Sequence, residues 1–219
     1  MSYAGHVDPG TTSEPIQTSA LEITKASVGP MDNNCYILRC KSTGNGLLID
    51  AADEPERLVD LVRDRLGDGI LETVVTTHQH KDHWQGLEMV MGVVGAVALA
   101  HPEDAPGLPI PTDPINHGDK ITCGDIELEV IHLRGHTPGS VALYWRDPEG
   151  EGHLFTGDSL FPGGVGKTWQ EGDFEKLLDD VEQRLFSLPD DTHVYPGHGD
   201  DTTIGAERPN LPEWRERGW

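Results

Sequence analysis

The chain has 219 residues, of which 36% are hydrophobic and 25% charged. That length and composition exclude a disulfide-stapled miniprotein and a chain disordered throughout. Sixteen Lys and Arg stand against 38 Asp and Glu, a formal net charge of −22, which repels phosphate backbones and anionic lipid and argues against nucleic-acid or membrane partners.

Residues 1–20 show no apolar periodicity and read as a disordered lead, and residues 21–219 as a single domain with a short C-terminal cap. They carry no basic start followed by an apolar stretch, and no run approaches the ~18 apolar residues of a membrane span. Cys35, Cys40 and Cys123 follow no metal-binding or redox spacing, which points to a reducing, cytoplasmic setting. Cys35 and Cys40 lie in one strand-like run and are expected on its opposite faces, unable to bridge.

Strand-like runs at 21–28, 35–39 and 47–50 are separated by Gly, Pro and Asn turn signals. Asp53 as N-cap, Pro55 and Glu56 then precede Leu58, Val59, Leu61, Val62 and Leu66, a helix ending near Gly67. A strand at 73–77, a His-rich loop, a helix over about 84–93 and a strand at 96–100 follow. Five prolines between 101 and 119 mark a long surface loop. Strands resume at 120–123, 126–133, 140–145 and 153–156, then a Gly-rich loop from Phe161 to Lys167. An amphipathic helix begins near Asp173, with Phe174, Leu177, Leu178, Val181 and Leu185 on one face, and a last strand spans 192–195. Strands followed by a helix occur twice, which suits two sheets packed face to face with helices outside.

The chemistry concentrates in His78-Gln-His80-Lys-Asp82-His83. Alternate residues His78 and His80 can present imidazoles to one ion, while Asp82 and His83 project to a neighbouring point and can serve a second. Imidazole and carboxylate without thiolate suit zinc, iron or manganese. One short loop cannot close two coordination spheres. Three further places at strand ends offer ligands beside glycines: His136 in Gly135-His-Thr-Pro-Gly139, Asp158 in Thr156-Gly-Asp, and His198 in Pro196-Gly-His-Gly199.

With these runs, with Phe155-Thr-Gly-Asp-Ser-Leu-Phe161 and with Tyr195 preceding Pro196, the sequence resembles the metallo-β-lactamase superfamily, and within it the glyoxalase II-like (hydroxyacylglutathione hydrolase-like) hydrolases, from about residue 21 to 205. The resemblance implies an α/β fold, an αββα sandwich of two mixed sheets. It implies two divalent metals, zinc with iron or manganese as alternatives. His78, His80 and His136 would hold the first, Asp82, His83 and His198 the second, and Asp158 would bridge both. The aspartate within Thr-Gly-Asp-Ser favours the glyoxalase side of the superfamily. The implied reaction is hydrolysis of an acyl-thiol by a hydroxide held between the metals, which makes Asp82 and Asp158 the catalytic carboxylates.

Asp50, closing the run 47–50, is a candidate to accept a hydrogen bond from a metal-binding histidine, against a plain turn or cap role. Lys167 sits where glyoxalase II-like enzymes often present a lysine to the thiol part of the substrate, against a solvated loop lysine. Trp169 is a candidate pocket wall, against an ordinary packing tryptophan. His6, His101, His117, His132, His153 and His193 have no partner at ligand spacing, and Arg134 stands where many relatives have Pro. Full-length glyoxalase II enzymes add a basic C-terminal helical domain that helps bind glutathione, which leaves the thiol open here. The rivals are a persulfide dioxygenase with one iron on His78, His136 and Asp158, a lactonase or β-lactam hydrolase, and a non-catalytic metal-binding module.

Overall fold

In the computed structural model, which describes residues 5–218, the first half of the chain builds a seven-stranded sheet. Its strands lie in chain order: β1 (Ile16–Gln17), β2 (Leu21–Val28), β3 (Asn33–Cys40), β4 (Gly46–Ile49), β5 (Leu71–Val75), β6 (Val97–Ala100) and β7 (Asp113–Pro114). The strands from β1 to β4 are antiparallel hairpins, whereas β4 to β7 run parallel. The parallel crossovers carry α1 (Pro55–Leu66) and α2 (Leu87–Val94). In α1 the buried residues Leu58, Val59, Val62 and Leu66 fall on one face, each contributing about 1.5–3 kcal/mol on burial. The N-cap is Glu54 rather than Asp53. The Glu54 carboxylate accepts the Gly29 N–H at 2.8 Å, and Asp53 caps only the Glu54 N–H at 2.7 Å.

The second half builds a six-stranded sheet from β8 (Lys120–Cys123), β9 (Ile126–His132), β10 (Val141–Arg146), β11 (Gly152–Gly157), β14 (His193–Pro196) and β15 (Thr202–Thr203), ordered β15-β14-β11-β10-β9-β8. The Gly-rich loop closes into the small hairpin β12 (Leu160–Phe161) and β13 (Gly164–Val165). The helix α3 (Asp173–Asp180) continues through a wider turn over Val181–Leu185. The chain ends in α4 (Ile204–Glu207) and α5 (Leu211–Arg217).

Leu38, Cys40, Leu47 and Ile49 of the first sheet share one buried cluster with Leu128, Val130, Leu143 and Phe155 of the second. The outer face of the first sheet carries Cys35, Ile37 and Leu48 against α1 and α2, and that of the second carries Ile131, Ala142 and Leu154 against α3 and α5. The architecture is therefore four layers, helices, sheet, sheet, helices. Cys35 and Cys40 lie in different clusters on opposite faces of β3, and all three cysteines are free and buried. Among the described residues no helix is long and apolar enough to cross a membrane.

Two further expectations are corrected. The polar lead is ordered from residue 5 onward: β1 pairs with β2, Ser13 N–H donates to Lys25 O at 2.8 Å, and Ser27 N–H donates to Thr11 O at 3.0 Å. Backbone pairing along a strand edge orders this segment without an apolar run. His6 accordingly sits against Asp200 at 2.6 Å rather than in a loose tail. The remainder of the lead, residues 1–4, lies outside the described residues, as does Trp219. The proline-rich stretch 101–119 is not surface throughout, since His101, Asp104 and Ile115 are buried and β7 extends the sheet.

Candidate metal centre

Strand ends of both sheets open on one rim. There β4 ends before Asp50, β5 before the loop with His78, His80, Asp82 and His83, β11 at Gly157 before Asp158, and β14 before Gly197 and His198. Asp50 adopts a left-handed backbone with φ 58°, a conformation that costs a non-glycine residue roughly 1–3 kcal/mol unless its surroundings impose it. Three hydrogen bonds impose it. Asp50 Oδ1 accepts Thr77 N–H at 2.7 Å, and Oδ2 accepts both Thr77 Oγ1–H and His83 Nδ1–H at 2.8 Å.

His78, His80 and His136 converge. His78 Nε2 lies 3.2 Å from His80 Nδ1 and 3.2 Å from His136 Nε2, and His80 Nδ1 lies 2.9 Å from His136 Nε2. The opposite ring nitrogens decide what faces inward. His136 Nδ1–H donates to the Lys167 carbonyl at 2.7 Å. His78 Nδ1–H donates to Thr77 Oγ1 at 3.1 Å, whose own hydrogen goes to Asp50. Both inward Nε2 atoms therefore carry lone pairs aimed at one another. Burial pushes the His78, His80 and His136 imidazoles below their ordinary pKa, keeping them neutral.

Asp82, His83 and His198 form the second group. His198 Nε2 lies 3.3 Å from Asp82 Oδ2 and 3.3 Å from His83 Nε2. His83 Nδ1–H is taken by Asp50 and His198 Nδ1–H by the Met31 carbonyl at 3.1 Å. The inward Nε2 atoms of both rings face the carboxylates of Asp82 and Asp158 at 3.3–3.6 Å. Burial depresses His83, but the charges of Asp158 and Asp50 outweigh it and raise its pKa well above normal. Burial likewise opposes and Asp82 with Asp158 override at His198, raising its pKa, and the His198 hydrogen bond lowers Asp82.

Asp158 stands between the groups. Its Oδ1 is 3.4 Å from His83 Nε2, and its Oδ2 is 3.6 Å from both His136 Nε2 and His198 Nε2. Oδ1 is buried with no hydrogen-bond partner among the described residues, a position that costs free energy unless a cation meets it. Burial raises its pKa, and His83, His198 and His136 overcome that to hold it below the ordinary carboxylate range. One glycine leaves the Asp158 carboxylate its room and another leaves room for its backbone carbonyl. A Cβ on Gly197 would stand 2.2 Å from Asp158 Oδ1, and one on Gly166 1.8 Å from Asp158 O.

Ligands on one tetrahedral zinc with Zn–N bonds of ~2.05 Å lie roughly 3.3 Å apart. The separations of 2.9–3.6 Å within the two groups lie near that spacing, and imidazole with carboxylate is the right donor chemistry for a divalent metal.

The substrate candidates lie on the His80 side. Lys167 enters the site through its carbonyl, while its Nζ lies 4.5 Å over the Trp169 ring. Trp169 is 63% exposed, and its ring stands edge-on to His80 at 6.2 Å. A groove of about 540 Å³ passes there, walled by His80, His136, Trp169, Arg134, Lys176 and Glu103. Arg134 is turned away into a two-pronged pair with Asp180 at 2.7 and 2.9 Å.

Several residues at this rim escaped the sequence reading. Asn33 Nδ2 donates to Asp82 Oδ2 at 3.0 Å and lies 3.4 Å from His83 Nε2 and 3.3 Å from His198 Nε2. Asn34 Nδ2 donates to the Pro196 and Gly199 carbonyls at 2.9 and 3.0 Å, and Lys25 Nζ donates to Gly199 O at 2.7 Å, clamping the loop of His198. Asp104 accepts the Gln79 and Gly139 N–H groups at 2.9 and 2.7 Å and the Thr137 hydroxyl, holding the other two loops. The available signal was an Asn-Asn pair opening a strand, where asparagine is disfavoured without a polar partner.

Comparison with known proteins agrees with this geometry. The model of the metallo-beta-lactamase superfamily matches residues 28–198. A hydroxyacylglutathione hydrolase of Polaromonas sp. is 34% identical over 164 residues, covering 74% of this chain and 60% of that protein, so the chain spans three fifths of that relative's length. The crystal structure of TTHA1623 in a di-iron-bound form superposes with TM-score 0.72 at 34% identity, covering 84% of this chain and 96% of that one. ETHE1 from Myxococcus xanthus superposes with TM-score 0.76 at 28% identity, covering 87% and 83%. A match over most of the chain, ending on the last of the clustered histidines, together with two groups of His and Asp suited to divalent metal, establishes that the chain belongs to the metallo-β-lactamase superfamily.

Proposed function

We propose that the protein is a two-metal hydrolase that cleaves S-acyl thioesters of a low-molecular-weight thiol. The observation that carries this reading is the pair of adjoining His and Asp groups, the first with the Nε2 lone pairs of His78 and His136 aimed at one another, and with Asp158 Oδ1 buried between the groups without a hydrogen-bond partner among the described residues. The likeness to a hydroxyacylglutathione hydrolase supports the substrate class, and the di-iron form of TTHA1623 supports occupancy of both positions. His78, His80 and His136 would hold one metal, Asp82, His83 and His198 the other, with Asp158 facing both. Zinc is the expected metal and iron or manganese the alternatives. Such ions would supply Lewis acidity for the thioester carbonyl and lower the pKa of a water held between them.

The chain's own residues set orientation. Asp50, Thr77, Met31 O and Lys167 O fix the ring hydrogens of His83, His78, His198 and His136 outward. With a metal held at the inward nitrogens, no ring hydrogen of these four would be left to protonate a leaving group. A thiol of pKa ~8.5 departs as thiolate without such help, which suits a thioester better than an ester or amide. Lys167 over Trp169 at the groove is placed to take a carboxylate on the thiol part.

Metal analysis of protein purified without added metal, beside thioesterase assays on two acyl-thiols and oxygen uptake with a thiol persulfide, tests the reading. Two equivalents of divalent metal and thiol release without oxygen uptake are expected. One iron with oxygen consumption on the persulfide would replace it with the dioxygenase reading.

A further inference from the structure

Asn33 opens β3, is 2% exposed and is bridged through its backbone to His198, so its side chain is pinned against the loop that carries that histidine. Nδ2 lies 3.0 Å from Asp82 Oδ2, 3.4 Å from His83 Nε2 and 3.3 Å from His198 Nε2. Those three atoms are themselves 3.6, 3.3 and 3.3 Å apart. Four atoms spaced in this way stand at the corners of a near-regular tetrahedron. Its centre lies about 2.0 Å from each corner, the length of a bond from zinc to nitrogen or oxygen. The His83 and His198 rings meet with planes at 80°, and Asp50 and the Met31 carbonyl hold their Nδ1 atoms on the far side. An amide nitrogen is the wrong atom for the fourth corner. Its lone pair is delocalised and its hydrogens would face the ion, whereas the amide oxygen carries two lone pairs and suits a divalent metal. The two ends of a primary amide have nearly the same shape, so a half-turn about Cβ–Cγ exchanges them without moving the backbone. Donation to Asp82 holds the nitrogen at that corner, and a cation at the centre reverses the preference.

We propose that Asn33 is a further ligand of the second metal, giving its Oδ1 to the ion held by Asp82, His83 and His198, an inference that rests on the two-metal reading above. Asp158 borders the same group, with Oδ1 3.4 Å from His83 Nε2 and Oδ2 3.6 Å from His198 Nε2. The second position then offers two imidazole nitrogens and three oxygens, against three imidazoles and the Asp158 carboxylate at the first. Oxygen donors suit manganese and imidazole suits zinc. The two positions therefore differ in metal preference, and Asn33 moves the second toward the harder ion. Coordination also ties the ion to the turn between β2 and β3, from which the Met31 carbonyl already orients His198.

The test is equilibrium dialysis of chelator-stripped protein against zinc and against manganese, counting equivalents and their affinities. Wild type should bind two equivalents. Asn33→Leu, of similar size without a donor atom, should weaken one of them by roughly tenfold or more, manganese more than zinc, and leave the other unchanged. Asn33→Asp keeps an oxygen and removes the N–H, and it should hold both equivalents at least as tightly as wild type. That variant separates coordination from hydrogen bonding. A residue that only donates to Asp82 would be replaced by a repelling carboxylate, and Asn33→Asp would then bind one equivalent more weakly than wild type. Such weakening would overturn the proposal, and Asn33→Asp decides by itself if Asn33→Leu does not fold. Two equivalents unmoved in Asn33→Leu, folded by circular dichroism, would overturn it as well, and either result leaves the two-metal reading standing. A single equivalent in wild type, indifferent to Asn33→Leu and lost in His80→Ala, would instead sink the two-metal reading and the Asn33 ligand with it.

Discussion

At the scale of single residues, Asp158, half-buried with its Oδ1 out of solvent, and the buried His153 are both titratable, yet they answer to different forces. Asp158 is charged because three imidazoles surround it, so its replacement disturbs the centre and little else. Asp158→Ala is expected to lower metal content and to reduce thioesterase turnover on the order of a hundredfold or more, with far-ultraviolet circular dichroism unchanged. Elemental analysis beside kinetics checks it, and full metal content with full turnover would contradict the bridging role. His153 has no part in the centre. It lies between Trp145 and His193, stacked at 5.3 and 5.5 Å, and accepts the Tyr195 hydroxyl at 2.9 Å. Burial, reinforced by the nearby His193, pushes its pKa down to about 4. The unfolded chain therefore takes up this proton before the folded one does. The stability it contributes is whole above about pH 6.5 and is lost as pH falls from there to about 4. Chemical denaturation at pH 7 and pH 4.5 should show a smaller acid loss in His153→Phe than in wild type, by roughly 2–3 kcal/mol. Equal losses would mean that the ring is already protonated in the fold.

At the scale of elements, α5 tests how the C-terminal segment serves the body. Trp214 is 2% exposed and packs with Leu211 in the cluster over the outer face of the second sheet, its ring 6.1 Å from Phe186. None of the clustered ligands lies on it. Deleting residues 208–219 should cost about 3–5 kcal/mol or more, since the loss of one buried Trp alone is of that size. Bound metal in the truncated protein, measured below its lowered melting point, should persist, and a folded but metal-free truncate would refute the separation of roles. The same distinction between local and distant contacts explains what the sequence made legible. His78, His80, Asp82 and His83 are contiguous, and His136, Asp158 and His198 each sit beside glycines at a strand end, so short motifs revealed them. Asn33 reaches Asp82 only because β3 opens beside His198, an isolated bridge between Asn33 and His198. No local pattern encodes that crossing. Asp104 was hidden inside a proline-rich run whose composition signals surface, although three hydrogen bonds bury it. His101 and His132 lie in different sheets and meet only when the sandwich closes. The lead from residue 5 is held largely through backbone pairing with β2 and scattered polar contacts, to which side-chain periodicity is blind.

At the scale of the whole molecule, the charge of −22 and the cation of Lys167 would act on the proposed substrate in opposite directions, and their different ranges separate them. The general field repels an anionic thioester over a Debye length, about 10 Å at 0.1 M salt and 3 Å at 1 M. Lys167 Nζ, which lies over the Trp169 ring beside the groove, would under the proposed function act on the bound molecule at contact distance. For a thioester bearing carboxylates, kcat/KM should therefore rise as salt increases from about 0.01 to 0.2 M, because encounter is freed from repulsion. An uncharged acyl-thiol should show a flat profile. Lys167→Ala should raise KM for the carboxylated substrate with kcat within a fewfold, since a contact remote from the carbonyl is made equally in ground and transition states. The variant should keep the upward salt slope, because the repulsive field that produces it is unchanged. A falling slope in wild type would mean that local cations dominate encounter as well as binding. Equal effects of Lys167→Ala on both substrates, or a collapse of kcat with KM unmoved, would place Lys167 outside substrate recognition and leave its carbonyl, holding His136, as its contribution to the site.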